Sequence, residues 1–236
     1  MKVGILVAMA AECRSLTPRR VPSGGCLALD DNCVVGLSGA GPVAAKRTTA
    51  ALADAGAGAI ISWGCAAALA SELKPGDLVL PTQIVCEDGT PLDTAETWRQ
   101  ELSSILAERM VVYSGLLAER GHIVASEKEK RTIFNTTGAI ALDMESAAAA
   151  RAAKSLDLPF LAVRSIVDPV DVTIPPSIAA SFDKNGILNV PKMLARSLLN
   201  PIDFLGVIRL GKHFSAAMDT LRLTASIARE SNFAAR

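Results

Sequence analysis

The sequence predicts a three-layer α/β fold, a mixed central sheet with helices on both faces, and three observations lead there. Short apolar runs alternate with helical patterns along most of the chain. The runs are apolar on both faces, as strands covered by helices on both sides must be. Polar residues gather where those runs stop, which is where open α/β sheets bind ligands. The 236 residues fit one domain with a helical extension from about residue 184. Half of them are hydrophobic and only 4% aromatic, so small aliphatic side chains must fill the core.

Taken in order, residues 2–9 (KVGILVAM) and 33–39 (CVVGLSG) read as strands, with a short strand at 26–29 between them. Residues 42–55 form an Ala-rich helix, with Pro42 in the first turn, where a missing N–H costs least, and Gly56 placed to end it. Strands follow at 59–64 (AIISWG) and 77–85 (DLVLPTQIV), the second after the turn Lys74-Pro75-Gly76. Residues 94–109 read as a helix with Thr94 as N-cap. A strand at 122–126 (HIVAS), a helix around 128–135, a strand at 139–144 (AIALDM), a helix at 145–156 and a strand at 160–168 (FLAVRSIVD) complete the pattern. Residues 169–186, rich in Pro and Asp, read as a long loop.

Composition narrows the function. Lys plus Arg and Asp plus Glu each number 24, so there is no overall basic field to attract nucleic acid. The two histidines, His122 and His213, stand far apart and the five cysteines form no CxxC pair, so no metal site is expected. An odd number of cysteines fits reduced thiols and a cytoplasmic location better than a disulfide framework. Residues 3–11 are apolar and follow a lysine, but the run stops at Glu12, which favours a buried first strand over a signal peptide. No run approaches the ~18 apolar residues of a membrane span.

Four strand ends carry candidate chemistry: Glu12, Ser38-Gly39-Ala40-Gly41, Asp143-Met144-Glu145, and Arg164 with Asp168. Each has a structural alternative. Glu12 could cap a helix or face solvent, and the glycines could make only a tight turn. Asp143 and Glu145 could be favourable charges at a helix N-terminus, and Arg164 with Asp168 a structural ion pair. Together, several acids and an arginine at neighbouring strand ends point to one shared site.

The stretches VGILVAMAAE, SGAG, LKPGDLVLP, ALDMESAAAA and FLAVRSIVD, in this order over residues 1–170, resemble the nucleoside phosphorylase and nucleosidase superfamily. Within it they are most similar to the methylthioadenosine/S-adenosylhomocysteine nucleosidase branch. The Ala-rich stretch after Trp63 and the C-terminal extension look like the hopanoid-biosynthesis-associated phosphorylases, thought to act on adenosylhopane. The resemblance implies a nucleoside phosphorylase-type fold that cleaves the N-glycosidic bond of a 5′-substituted adenosine. Adenosylhopane is the first expectation and methylthioadenosine or S-adenosylhomocysteine the second. A catalytically silent nucleoside-binding protein is the alternative of another class. The resemblance makes Asp168 the acid that protonates purine N7 and Glu12 the base that activates the nucleophile, helped by Arg164. Glu145 and the backbone near Met144 would hold the ribose hydroxyls. Met9, Cys65, Ala66 and Ser126 would be further substrate contacts. No resident cofactor is implied, phosphate is a candidate co-substrate, and a homodimer is expected.

The chain departs from that pattern in three places. Cys65 replaces a serine in what is expected to be a strand-end loop, and a small buried residue is as good a reading of it as a ligand contact. Ser62 stands where phosphorylases carry a phosphate-binding arginine, which favours water as nucleophile unless Arg14, Arg19 or Arg20 supplies an anion site. No base-stacking aromatic is found around residues 126–130.

The segment from Lys184 to the C-terminus carries eight Lys or Arg and three Asp or Glu, and helices are expected over 191–229. Asn200-Pro201 reads as an N-cap and first helical residue. Ile202, Phe204, Leu205 and Ile208 fall near one side, with Arg209 and Lys212 elsewhere. Packing on the sheet or on a dimer partner is one reading. The other is peripheral contact with a lipid-like substrate or an anionic bilayer.

Overall fold

In a computed structural model the chain forms one mixed sheet with helices on both faces. The structure describes residues 1–175, 181 and 201–234, with backbone alone at 201–204. The elements are β1 (Val3–Val7), α1 (Ala10–Leu16), β2 (Cys26–Asp30), β3 (Cys33–Leu37), α2 (Pro42–Asp54) and β4 (Ala59–Ala68). Next come β5 (Leu78–Val79), β6 (Gln83–Val85), β7 (Pro91–Asp93), α3 (Glu96–Ala107), β8 (Val112–Tyr113) and β9 (Leu116–Glu119). They are followed by α4 (Glu127–Thr137), β10 (Ala139–Asp143), α5 (Ser146–Ser155), β11 (Phe160–Asp168) and α6 (Pro201–Glu230), then a 3-10 turn at Asn232–Ala234.

Strand alternation divides the core in two. Val3, Ile5 and Val7 point to one face with Ile61, Trp63, Leu161 and Val163, where α1, α3 and α6 supply Leu16, Leu102 and Leu221. Leu6, Ile60 and Ala162 point to the other, where α2 and α5 supply Leu52 and the alanines of 147–153. A third, smaller cluster of Val124, Ile133 and Leu142 lies under α4.

The ten-residue β4 organises the sheet. β11 runs parallel to it along one edge, from Phe160 opposite Ile60 to Asp168 opposite Ala67. The other edge is shared. β1 takes the first half in parallel, Val3 opposite Ala59 through Val7 opposite Trp63. β10 takes the far end antiparallel, with Leu142 opposite Ala67 and Ala141 opposite Ala68. Between those two partners, around Gly64–Ala66, the sheet forks.

Several elements differ from expectation. β4 continues through Cys65–Ala68 where a loop was expected, because β11 and β10 both pair with that stretch. The single strand expected over 77–85 is two, β5 and β6, which change partners across Pro81: β5 joins β11 and β8, whereas β6 joins β7 and β9. Proline cannot donate to a ladder, so the run breaks there. Residues 122–126 form no strand, because β9 already occupies the edge of β10 that such a strand would need. The short α1, β7, β8 and β9 were not foreseen. Thr94 is not the cap of α3: its hydroxyl donates to the Pro81 and Thr82 carbonyls at 2.9 Å each, and α3 begins at Glu96 after an uncapped Ala95. Gly56 ends α2 with φ +87° as expected.

The second half of α6 packs against β11, α1 and α3 and buries Ala217, Met218, Leu221, Ala225 and Ala228. Its first half leaves Leu205 and Ile208 exposed. The expected cap at Asn200, the helix start near Pro191, the loop beyond 175 (Ser181 apart), and the side chains of Ile202 and Phe204 lie outside the described residues. Among the described residues no helix is long and apolar enough to cross a membrane.

The turn at Asn232–Ala234 is locked into the core. Phe233 is 1% exposed, meets Trp63 edge-on with ring centroids 6.3 Å apart, and accepts a hydrogen bond at its carbonyl from Trp98 Nε1 at 2.7 Å. Phe233→Ala should therefore cost about 3–5 kcal/mol of stability with an unchanged urea m-value. A loss below about 1 kcal/mol in urea denaturation would show that the turn is not part of the core.

Candidate active site

A cavity of about 540 Å³ opens at the fork. Its wall combines Ala8 and Met9 after β1, Cys65–Ala67 of β4, Gly41 before α2, Asp143–Glu145 after β10, Asp168 at the end of β11, and Ile123 and Val124 ahead of α4. Glu12 on α1 reaches it from below the fork.

Each acid is held differently. Glu12 is 3% exposed; Oε2 accepts from the Met9 N–H at 2.9 Å and Oε1 from the Cys65 N–H at 2.8 Å. The Cys65 N–H is free to donate because neither β1 nor β10 pairs with β4 there. A Cβ on Gly64 would collide with the Glu12 carboxyl, so only glycine lets the carboxylate lie against the strand. Burial raises the Glu12 pKa, opposed by the Cys65 N–H and by the Arg164 charge. Glu145 is half-buried and accepts from the Gly41 N–H at 3.2 Å. Burial and the neighbouring Asp143 push it up to about 7. Asp168 is 3% exposed and is pushed up to about 6 by burial, against the pull of Lys130. It follows a bulge in β11, where Ile166 faces Ala66 but Asp168 faces Ala67; the extra residue re-aims the side chain.

Arg164 does not line the cavity. It is 3% exposed, and all five N–H groups have acceptors. Nε donates to Asp143 Oδ2 at 2.7 Å; one terminal nitrogen donates to the Ser62 and Val163 carbonyls, and the other to the hydroxyls of Ser62 and Ser146. The guanidinium acts on Glu12 through its field and has no donor left for a ligand. Ser126 also lies off the wall: its hydroxyl caps α4, accepting from the Glu129 N–H at 3.3 Å. Met9, Met144, Cys65 and Ala66 do line the cavity. Burial and Glu12 push the Cys65 thiol up, so it stays protonated. Arg14, Arg19 and Arg20 are exposed and absent from the wall, and Arg19 donates to the Ala28 carbonyl. The described wall carries no Phe, Tyr or Trp; its one aromatic ring is His122, whose Nε2 lies 2.8 Å from Glu129 Oε1.

Two partners of the site were missed: Ser146 and above all Lys130 gave no signal, because a serine after the strand-end acids and a lysine among Glu-Lys-Glu-Lys read as ordinary. Ser62 stood out only in place of a phosphate-binding arginine, not as a partner of Arg164. Among the described residues no group of three or more His, Cys, Asp or Glu is arranged to hold a metal ion.

The model of the phosphorylase superfamily matches residues 27–197. The chain belongs to that superfamily. A 5′-methylthioadenosine/S-adenosylhomocysteine nucleosidase from Buchnera aphidicola is 28% identical over 131 residues, 48% of this chain and 52% of that one. The chain thus spans about half the length of the curated relative it matches. Solved structures extend the likeness in fold over nearly the whole chain. The 5′-methylthioadenosine/S-adenosylhomocysteine nucleosidase of Helicobacter pylori with butyl-thio-DADMe-Immucillin-A gives a TM-score of 0.72 at 20% identity, covering 97% of this chain and 96% of that one. The enzyme of the same name from Neisseria meningitidis with methylthio-immucillin-A gives 0.72 at 20%, covering 97% and 99%. The futalosine hydrolase of Helicobacter pylori gives 0.69 at 22%, covering 97% of each chain. The phosphorylase-superfamily α/β fold is therefore as expected.

Arg164→Met would leave Asp143 buried beside two serines and no cation. It should cost about 3–5 kcal/mol in urea denaturation, with much of the loss recovered by adding Asp143→Leu. Wild-type stability in the single variant would show that the network is not structural.

Proposed function

We propose that this chain cleaves the N-glycosidic bond of a 5′-substituted adenosine and releases adenine. The observation that carries this reading is that one cavity holds two buried carboxyl groups with different partners. Glu12 receives two backbone N–H groups, whereas Asp168 receives none among the described residues and faces the Lys130 ammonium, and burial raises the pKa of both. We assign the base to Glu12 and the acid to Asp168. Asp168 gives its proton to purine N7 as the bond from C1′ to N9 breaks. Glu12, in the field of Arg164, takes a proton from the water whose oxygen attacks C1′. Glu145 receives the ribose hydroxyls, and its carboxylate favours the positive sugar of the transition state. Water is the proposed nucleophile because Ser62 is committed to Arg164 and no arginine reaches the described wall.

The 5′ group is proposed to be apolar, with adenosylhopane the first choice, in a cytoplasmic homodimer that touches membranes peripherally. Ile123, Val124, Val167 and Ile174 line the wall. Leu205 (68% exposed) and Ile208 (44%) stand beside the exposed Arg209 and Lys212. Each CH₂ of an apolar tail taken out of water contributes ~0.8 kcal/mol. The Buchnera relative favours a second reading, methylthioadenosine or S-adenosylhomocysteine as substrate.

Adenine and free sugar should appear from 5′-substituted adenosines in phosphate-free buffer, and Glu12→Gln should abolish release. Asp168→Asn should lower kcat by ~10²–10⁴-fold with little change in affinity. Asp168 is protonated below about 6 and ionised above, so kcat/KM should fall as pH rises through that value. Binding without base release would mark a silent nucleoside-binding protein, and an absolute need for phosphate would overturn hydrolysis.

If the apolar reading holds, bulky 5′ groups should give the higher kcat/KM, and the protein should cosediment with anionic vesicles in a salt-sensitive way. Preference for methylthioadenosine with no vesicle binding selects the second reading.

A further inference from the structure

Lys130 is a buried cation that the proposed chemistry leaves unused. Its side chain is fully buried, and its ammonium donates to the Pro169 and Val172 carbonyls at 2.8 Å each and lies 2.7 Å from Asp168 Oδ2. The contact with Asp168 is an ion pair off the direction of a hydrogen bond, and Oδ1 has no partner among the described residues. The lysine is aimed there by its helix: Ser126 caps α4, and the Lys130 N–H donates to the Ser126 carbonyl one turn on. Taking a lysine out of water is costly unless a partner keeps it charged, so a lysine at this place calls for a reason.

We propose that Lys130 is the positioning residue of the site, tying one carboxyl oxygen of Asp168 and the chain after β11 to α4, leaving the other oxygen for the ligand, and setting the pH at which Asp168 gives up its proton. For its link to adenine release this rests on the reading of Asp168 as the acid. Without Lys130, burial and Asp171 act on Asp168 unopposed and keep it protonated to higher pH; with it, the proton is easier to release. The other charged groups nearby are few among the described residues. Asp171, on the loop after β11, raises the Asp168 pKa. On α6, His213 sits by Val167 and Asp171 with Arg209 beside it. Glu12 and Glu145 belong to the same cavity wall.

The test compares wild type with Lys130→Met, which keeps length without charge, Lys130→Gln, which can still donate to a carbonyl, and Lys130→Arg, which keeps the charge. The first readout is the carboxyl ¹³C titration of Asp168 in the free protein, assigned with Asp168→Asn. The second is the alkaline limb of kcat/KM for adenine release. Both should move up by about 1–3 pH units in whichever neutral variant folds and stay near wild type in Lys130→Arg. A ¹³C midpoint that is unmoved or lowered in a folded neutral variant overturns the inference, whatever the change in rate. A midpoint that rises in a protein releasing no adenine upholds Lys130 and removes the proposed reaction instead. Failure of both neutral variants to fold, with Lys130→Arg folded and titrating as wild type, upholds the charge requirement.

Discussion

A guanidinium cut off from water must find an acceptor for every N–H, and Arg164 does so by drawing four elements to one point. Ser62 comes from β4, Asp143 from the end of β10, Ser146 from the first turn of α5, and Arg164 itself from β11. With Asp143 at its centre, the arrangement costs little only when complete; remove one member and another is left charged or unpaired in the core. The positions of the other site groups follow. Glu145 and Met144 stand between the two anchors Asp143 and Ser146. Asp168 lies four residues beyond Arg164 on a strand whose register Arg164 helps to hold.

The fork in the sheet turns that rigidity into a site. A ten-residue strand paired along one edge by β11 and along the other by two different strands must leave a stretch of backbone unclaimed where those two part. There the Cys65 N–H needs an acceptor, Gly64 leaves room for one, and Glu12 fills it. The carboxylate is thus both a structural plug for an open sheet edge and one of the ionisable groups on the cavity wall. Capping and catalysis were competing readings of Glu12 in the sequence; the fold makes it a cap and places it on the cavity wall, where the proposed reaction uses it as the base.

The acids differ in what surrounds them. Glu12 takes two backbone N–H groups, Glu145 one together with the repulsion of Asp143, and Asp168 the Lys130 ammonium. The four carboxyls on the cavity wall would repel one another if all were ionised, and burial raises the pKa of Glu12, Glu145 and Asp168. The proposed reaction needs a proton donor and a proton acceptor at the same pH, and different partners for each acid are what such a division calls for.

Much of this was legible before any coordinates. Alternating apolar runs located β1, β3, β10 and β11 because a strand covered on both faces has no room for polar residues, and the acids at their ends stood out against that background. Met9, Glu12, Cys65, Ala66, Met144, Glu145 and Asp168 share the cavity; Ser126 and Arg164 do not. The misses share a cause. β8 and β9 are two and four residues long, too short for periodicity to register, and 122–126 carries a strand-like pattern that its neighbours leave no edge to satisfy. Lys130 lies two residues from the exposed Lys128 in a run of alternating charges, so only the placement of α4 against the loop after β11 distinguishes them. The sequence by itself determined which residues must be buried and where strands must end, because burial is a property of side chains in order along the chain. Which strands meet, which hydroxyls serve Arg164 and which lysine faces Asp168 were decided by tertiary structure alone, because those are contacts between separate segments, 18 and 102 residues apart for the two hydroxyls of Arg164.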